Sequence, residues 1–286
     1  MAWIIDIGIP LVTILIMTTV GLDLTVADFR RIVNYPKALL VGTLGQIILL
    51  PLLSVLLIWS FSPPRQVAAG LLLVAAAPGG ALSNLYVYLA GANTALSISL
   101  TALATIGATL FMPTILVAGF ALLMSQGIEV GVPVWEIVRT LLFILVLPVL
   151  LGMFIRCRQP ALVTRHRKLF RRLSIVALLF LLAVVAYDQW ELILKLSGQM
   201  AVVALLFSLL AMGAGWLLVA VLQLEKSAGF ALLVEFPVRN LAVVALIGTT
   251  LSDNLDFVAF GAVFLLVQAV IMFPVVVLYR RSVDQS

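Results

Sequence analysis

Two short runs in this 286-residue chain carry side chains that could do chemistry: Pro78-Gly79-Gly80-Ala81-Leu82-Ser83-Asn84 and Glu235-Phe236-Pro237-Val238-Arg239-Asn240. Each lies inside an otherwise apolar stretch. Proline removes a backbone donor and glycine admits conformations closed to other residues, so each run should interrupt a helix. An interrupted helix offers ligands of two signs. Its first half ends in free carbonyls, which suit a cation. Its second half begins with free N–H groups at the positive end of a helix dipole, which suit an anion. Two breaks set against one another would place a cation site beside an anion site, and this argues for an anionic cargo. The predicted anion contacts are Ala81, Leu82 and Asn84 after the first break and Arg239 and Asn240 at the second, with Gln268 as a weaker addition.

Other polar residues fit the same scheme. Ser97, Thr101 and Thr105 recur at four-residue spacing on one helix face, although hydroxyls in membrane helices also bond their own backbone. Gln46 is a rarer event, because a buried amide needs partners. Glu235 and Arg239 admit two readings: a static ion pair joining two half-helices, or a functional site, the default for ionisable groups inside a membrane. Asp6 and Asp23 lie near helix ends within reach of water, Arg139 can snorkel, and His166 sits in a basic segment and reads as solvated.

The elements that must position these residues follow from composition. Hydrophobic residues make up 64% of the chain and charged residues 10%, with a mean hydropathy of +1.27. A soluble domain carries about 25% charged residues, so the solvent for most of this chain is lipid. In lipid the backbone must satisfy itself, as helices or as a closed barrel. The apolar runs are about 20 residues long, as a bilayer core of about 30 Å demands of a helix, and the alternation of barrel strands is absent. Nine spans are predicted, at roughly 2–22, 37–60, 67–90, 95–124, 134–156, 172–192, 199–223, 226–250 and 255–279. The N-terminus has no basic region or small-residue cleavage pattern and reads as a span, not a signal peptide.

Thirteen of the 17 Lys and Arg residues fall on one side of these spans: Arg30, Arg31 and Lys37, seven within 156–172, Lys226, and Arg280 with Arg281. Only Arg65 and Lys195 fall opposite. The positive-inside rule then places the N-terminus outside and the C-terminus in the cytoplasm, in a multi-pass protein of the plasma membrane. The high pI reports this bias, not nucleic acid. The lone cysteine, Cys157, has no disulfide partner and no thiol–metal site, and nothing resembles the His/Asp/Glu set of a metalloenzyme, so no enzyme is expected.

The expected division is 1–155 (spans one to four and most of five, the first repeat and the start of the second), a basic cytoplasmic loop 156–172, and 173–286 (the rest of the second repeat). Each break falls in the second-last span of its half, and the two spans run in opposite directions. The predicted fold is therefore an all-α polytopic membrane protein of nine transmembrane helices, an inverted repeat of four plus five, its two broken helices crossing at the midplane. Paired interruptions of this kind mark a transporter's binding site.

The chain resembles the bile acid:sodium symporter family. The motifs are Gly21-Leu22-Asp23-Leu24-Thr25 with Asp28-Phe29-Arg30, Gln46 followed by Pro51, the Pro78–Asn84 run, Tyr88-Leu89-Ala90, Asn93-Thr94-Ala95-Leu96-Ser97 with Thr101, and Glu235 with Asn240. The resemblance implies a ten-helix inverted-repeat fold, or nine helices where the first is missing, and sodium-coupled uptake of organic anions by alternating access. It implies a first sodium site at Ser83, Asn84, Ser97, Thr101 and Glu235. It implies a second at Gln46, Glu235 and the backbone of Phe236 and Val238, with a glutamine at the position held here by Arg239. Pro237 likewise replaces a glycine. A fixed guanidinium where a sodium ion would sit repels that ion in a low-dielectric site. The expectation is one sodium or none, the guanidinium standing in for the second ion, or else Arg239 turning to meet the cargo's carboxylate. The alternatives are a proton-coupled or uncoupled anion carrier and, from another class, a membrane sensor or channel.

Overall fold

The computed structural model describes residues 3–25, 36–123, 130–252 and 255–284. The motif residues Asp28, Phe29 and Arg30, and Arg31 of the charge pattern, lie outside the described residues. The described chain is all helix apart from short connections. In order the helices are α1 (Ile9–Asp23, led by a π turn at Ile4–Gly8), α2 (Pro36–Phe61), α3 (Arg65–Ala76), α4 (Ala81–Ala90) and α5 (Thr94–Leu123). Then follow α6 (Val134–Arg158, with a π segment at Leu141–Val146), α7 (Pro160–Asp188), α8 (Trp190–Leu222), α9 (Lys226–Glu235), α10 (Leu241–Leu251) and α11 (Asp256–Asp284).

Among the described residues seven helices are long and apolar enough to cross a membrane: the one ending at Asp23 (α1 with its π turn), α2, α5, α6, α7, α8 and α11. The remaining four are short and form two consecutive pairs, α3 with α4 and α9 with α10, parted at the two runs singled out from sequence. The chain is thus a multi-pass membrane protein. Its surface bears leucine, valine and aromatic side chains such as Leu110, Phe143, Phe180 and Trp216, as expected where lipid is the solvent.

The basic segment 156–172 departs from expectation. Instead of a loop it is helical on both sides of a single break at Gln159, because α6 runs to Arg158 and α7 begins at Pro160. Hydropathy marks this segment as non-membrane but does not mark it as non-helical. Lys and Arg are good helix formers, and proline at the first helical position is already set at the required φ. Helix α8 likewise begins at Trp190, not near 199, and runs unbroken through Ser197 and Gly198.

Helices α1, α6 and α7 pack on one another, and α2, α5, α8 and α11 gather the four half-helices. The α1–α6 contact is close enough that a Cβ on Gly21 would overlap the Val149 carbonyl, and one on Gly152 the Thr18 carbonyl. Small residues serve this purpose between membrane helices, where packing has no hydrophobic drive to help it.

Candidate functional site

The two breaks meet. Pro78 disfavours a helical Ala77 before it, and Ala77 is extended at φ −64°, ψ 152°. Gly80 and Asn240 are also extended. The freed backbone groups pair across the breaks as a short antiparallel bridge: Gly80 N–H donates to the Val238 carbonyl at 2.9 Å, and Asn240 N–H to the Pro78 carbonyl at 2.9 Å. Two glycines permit this approach. A Cβ on Gly80 would lie 2.6 Å from the Arg239 carbonyl oxygen, and one on Gly79 would overlap the Glu235 carboxylate.

On one side of the crossing lies a cluster of oxygens. Glu235, at the end of α9, is fully buried. Its Oε1 accepts from Thr101 Oγ1 at 2.8 Å and its Oε2 from Ser97 Oγ at 3.5 Å. Asn84 Oδ1 faces the same two hydroxyls, at 2.7 Å from Ser97 Oγ and 3.4 Å from Thr101 Oγ1. Ser83 Oγ lies 3.5 Å from Thr101 Oγ1 and also donates to the Gly80 carbonyl. All five residues named from sequence for the first cation site are therefore in one cluster: hydroxyl and amide oxygens around a single carboxylate. Hard oxygen donors suit alkali and alkaline-earth ions, and one negative charge matches a monovalent ion. Thr105, the third member of the spaced face, bonds the Thr101 carbonyl instead and stands outside the cluster.

Arg239 points the other way. Its Nη1 donates to Gln46 Oε1 at 2.8 Å, its Nε to the Val74 carbonyl at 3.3 Å, and its Nη2 to the carbonyls of Ala75, at 3.4 Å, and Ala77. Three of these four acceptors are the orphan carbonyls at the C-terminal end of α3, the negative end of that helix. The guanidinium caps the first broken helix from the second. The static Glu235–Arg239 pair is not what the chain forms: no ion pair joins them among the described residues, because each charge has found its own oxygens or hydroxyls. Of the other residues named for a second cation site, Gln46 Oε1 is bound to the guanidinium, the Val238 carbonyl to Gly80, and Phe236 packs its ring against Gly45.

Beside the crossing is a cavity. Its inner end is made by Gly80, Ala81, Leu82 and Asn84 at the start of α4 and by Arg239, Asn240 and Leu241 at the start of α10. Its walls are Ile16, Thr19, Val20 and Asp23 on α1, Ile98 on α5, and Arg171, Ser174, Ile175 and Leu178 on α7. Asn84 belongs to both sites, since its oxygen lies in the cation cluster while the residue lines the cavity. Asn240 caps α10 through its Oδ1, 3.4 Å from Val243 N, and rests its amide nitrogen on Met17 Sδ. Of the expected anion contacts, Ala81, Leu82, Asn84, Arg239 and Asn240 all line this cavity. Gln268 does not: it is buried on α11 beside Tyr86, with neither amide atom in a hydrogen bond of good geometry.

Sequence reasoning missed the α1–α7 wall. Arg167 and Arg171 grip Asp23 at 2.6 and 2.9 Å, and Ser174 donates to Thr19 at 2.7 Å. The i, i+4 spacing of Arg167 and Arg171 was the available signal, hidden by reading the segment as a loop.

Comparison with known proteins agrees with this picture. Residues 10–196 match the model of the sodium bile acid symporter family. The chain is 26% identical over 237 residues to the uncharacterized sodium-dependent transporter YocS of Bacillus subtilis, covering 82% of this chain and 71% of that one. It is 34% identical over 140 residues to human P3 protein, and 35% identical over 139 residues to the probable chloroplastic sodium/metabolite cotransporter BASS1 of Arabidopsis thaliana. Each of these two alignments covers 49% of this chain, and they span only 29% and 33% of the respective relatives. The all-helical fold, the interrupted helices and a family match over more than half the length agree: the chain belongs to the sodium bile acid symporter family.

Proposed function

We propose that this protein is a secondary symporter of an organic anion, a carboxylate or sulfonate, driven by one sodium ion. The observation that carries the reading is the double duty of Asn84. Sodium at Ser83, Asn84, Ser97, Thr101 and Glu235 draws the Asn84 oxygen toward itself and turns the amide N–H groups to the cavity, where the anion meets them and the N-terminal ends of α4 and α10. Each ligand then stabilises the orientation of Asn84 that the other needs, and that differential contact is what coupling requires. Arg239 serves as a tethered cation in place of a second sodium, held by Gln46 and the carbonyls of α3. Counting each pair of half-helices as one span gives nine, in an inverted repeat of four plus five. The α1–α6–α7 group rocks against the rest around the crossing, with the N-terminus outside and the C-terminus in the cytoplasm of a plasma-membrane protein.

The test is sodium-dependent binding and uptake of organic anions by purified protein in proteoliposomes, with choline as the control cation. One sodium is expected per anion in the wild type, and a second in Arg239→Gln. Two sodium ions per cycle in the wild type, or equal uptake in choline, would overturn the proposal.

A further inference from the structure

The far end of the cavity carries charge that sodium coupling does not use. Asp23 closes the C-terminal end of α1, and Arg167 and Arg171 of α7 both bond it. A third guanidinium, Arg156, donates to the neighbouring Leu22 carbonyl at 2.8 Å. Among the described residues, two guanidiniums thus bond one carboxylate and a third lies on the preceding residue's carbonyl, a net positive charge of two. Helices α1 and α7 run antiparallel along the cavity, since Asp23 meets Arg171 and, four residues earlier on α1, Thr19 meets Ser174 three residues later on α7. Asn240, at the inner end, touches Met17. From Met17 to Asp23 is six residues, or about 9 Å of helix at 1.5 Å per residue. Between the two ends the wall is largely apolar, and its Thr19 and Ser174 hydroxyls are already paired with each other.

We infer that the cavity takes a dianion, a linear dicarboxylate whose first acid group sits at the starts of α4 and α10 and whose second displaces part of the Asp23 grip on Arg171. Three observations converge. The N-terminal ends of two helices close one end of an apolar slot and an arginine cluster closes the other. The outer guanidinium lines the cavity and is not only a surface residue. The Asp23–Arg171 pair is partly exposed, with side chains 13% and 24% accessible, and Arg167 bonds the same carboxylate at 2.6 Å, so an incoming carboxylate can compete for Arg171 while Arg167 still ties α1 to α7. A purely structural latch between α1 and α7 would bond the same residues but would not distinguish one acid group from two.

The inference rests on the proposed anion symport and has its own readout. Dissociation constants are measured by thermal shift in saturating sodium for linear dicarboxylates of four to eight carbons and for the monocarboxylates of equal length. In the wild type the best dicarboxylate should bind at least tenfold tighter than its monocarboxylate. In Arg171→Gln that preference should vanish, dicarboxylate affinity falling at least tenfold further than monocarboxylate affinity, and Arg171→Lys should restore part of it. Equal binding of the two series in the wild type, or an equal loss of both in Arg171→Gln, overturns the dianion assignment and leaves anion symport standing. Failure of every anion to bind in sodium would instead overturn the symport reading itself.

Discussion

Single residues at the crossing carry opposite kinds of consequence. Glu235 is the one carboxylate in the oxygen cluster, so Glu235→Gln keeps the shape and removes the charge that would hold a monovalent cation. The expected result is loss of sodium-dependent stabilisation, read as a thermal shift no larger in sodium than in choline. Arg239 behaves as a structural cation. Arg239→Met strips a buried charge from Gln46 Oε1 and three carbonyls. Each buried acceptor left unsatisfied costs about 1–3 kcal/mol, so this variant should melt well below the wild type. Arg239→Gln should be milder, because an amide still supplies donors. The residue types at both sites were legible in the sequence, since a carboxylate, a guanidinium and amides inside apolar helices are conspicuous. The direction of Arg239 was not. Two charges four residues apart invite pairing on a continuous helix, and only the extended turn between Phe236 and Asn240 sends them apart.

At the scale of elements, the breaks depend on backbone approach more than on the prolines that announce them. Gly80→Ala places a Cβ against the Arg239 carbonyl, a group that cannot swing away as a flexible side chain would. The expected outcome is loss of both the bridge and sodium binding, seen as a folded but sodium-insensitive protein or as failure to accumulate in the membrane. Gly261→Ala, whose Cβ would sit at an ordinary 3.5 Å from Val244, is the neutral control. Helix α7 makes a separate prediction. Single cysteines across 160–172, in a Cys157→Ser background, should label with helical periodicity, strongly at Arg165, Lys168 and Arg172 and weakly at Val163, which is buried. Uniform labelling would restore the loop expected from hydropathy. That expectation failed for a physical reason: charge density reports which solvent a segment meets and says little about whether its backbone is helical.

Across the whole molecule, the hydrophobic pattern located every long helix, because lipid demands continuous apolar helices of fixed length. It did not locate the cavity wall. Asp23 reads as a residue at a helix end and Arg171 as part of a basic loop, and only the antiparallel packing of α1 on α7 brings them to one slot with Asn84 and Asn240. Gln268 failed in the opposite sense, being polar and intramembrane but turned toward Tyr86 and away from the slot. The charge asymmetry predicts the orientation: a membrane-impermeant reagent applied to whole cells should reach a cysteine at Lys195 and miss one at Arg165.

A guanidinium held by four oxygens also sets an electrical account for the transport cycle. A tethered cation returns with the protein and moves no charge, whereas each mobile ion crossing the field is worth about 2.3 kcal/mol per 100 mV. On the proposed stoichiometry of one sodium with one dicarboxylate, each turnover carries one net negative charge, so an inside-negative potential would oppose accumulation and the sodium gradient alone would drive it. Restoring a second sodium through Arg239→Gln would make the same cargo electroneutral. The proposed stoichiometry thus predicts the sign of the current, and its disappearance in that variant, from one side chain at the second break.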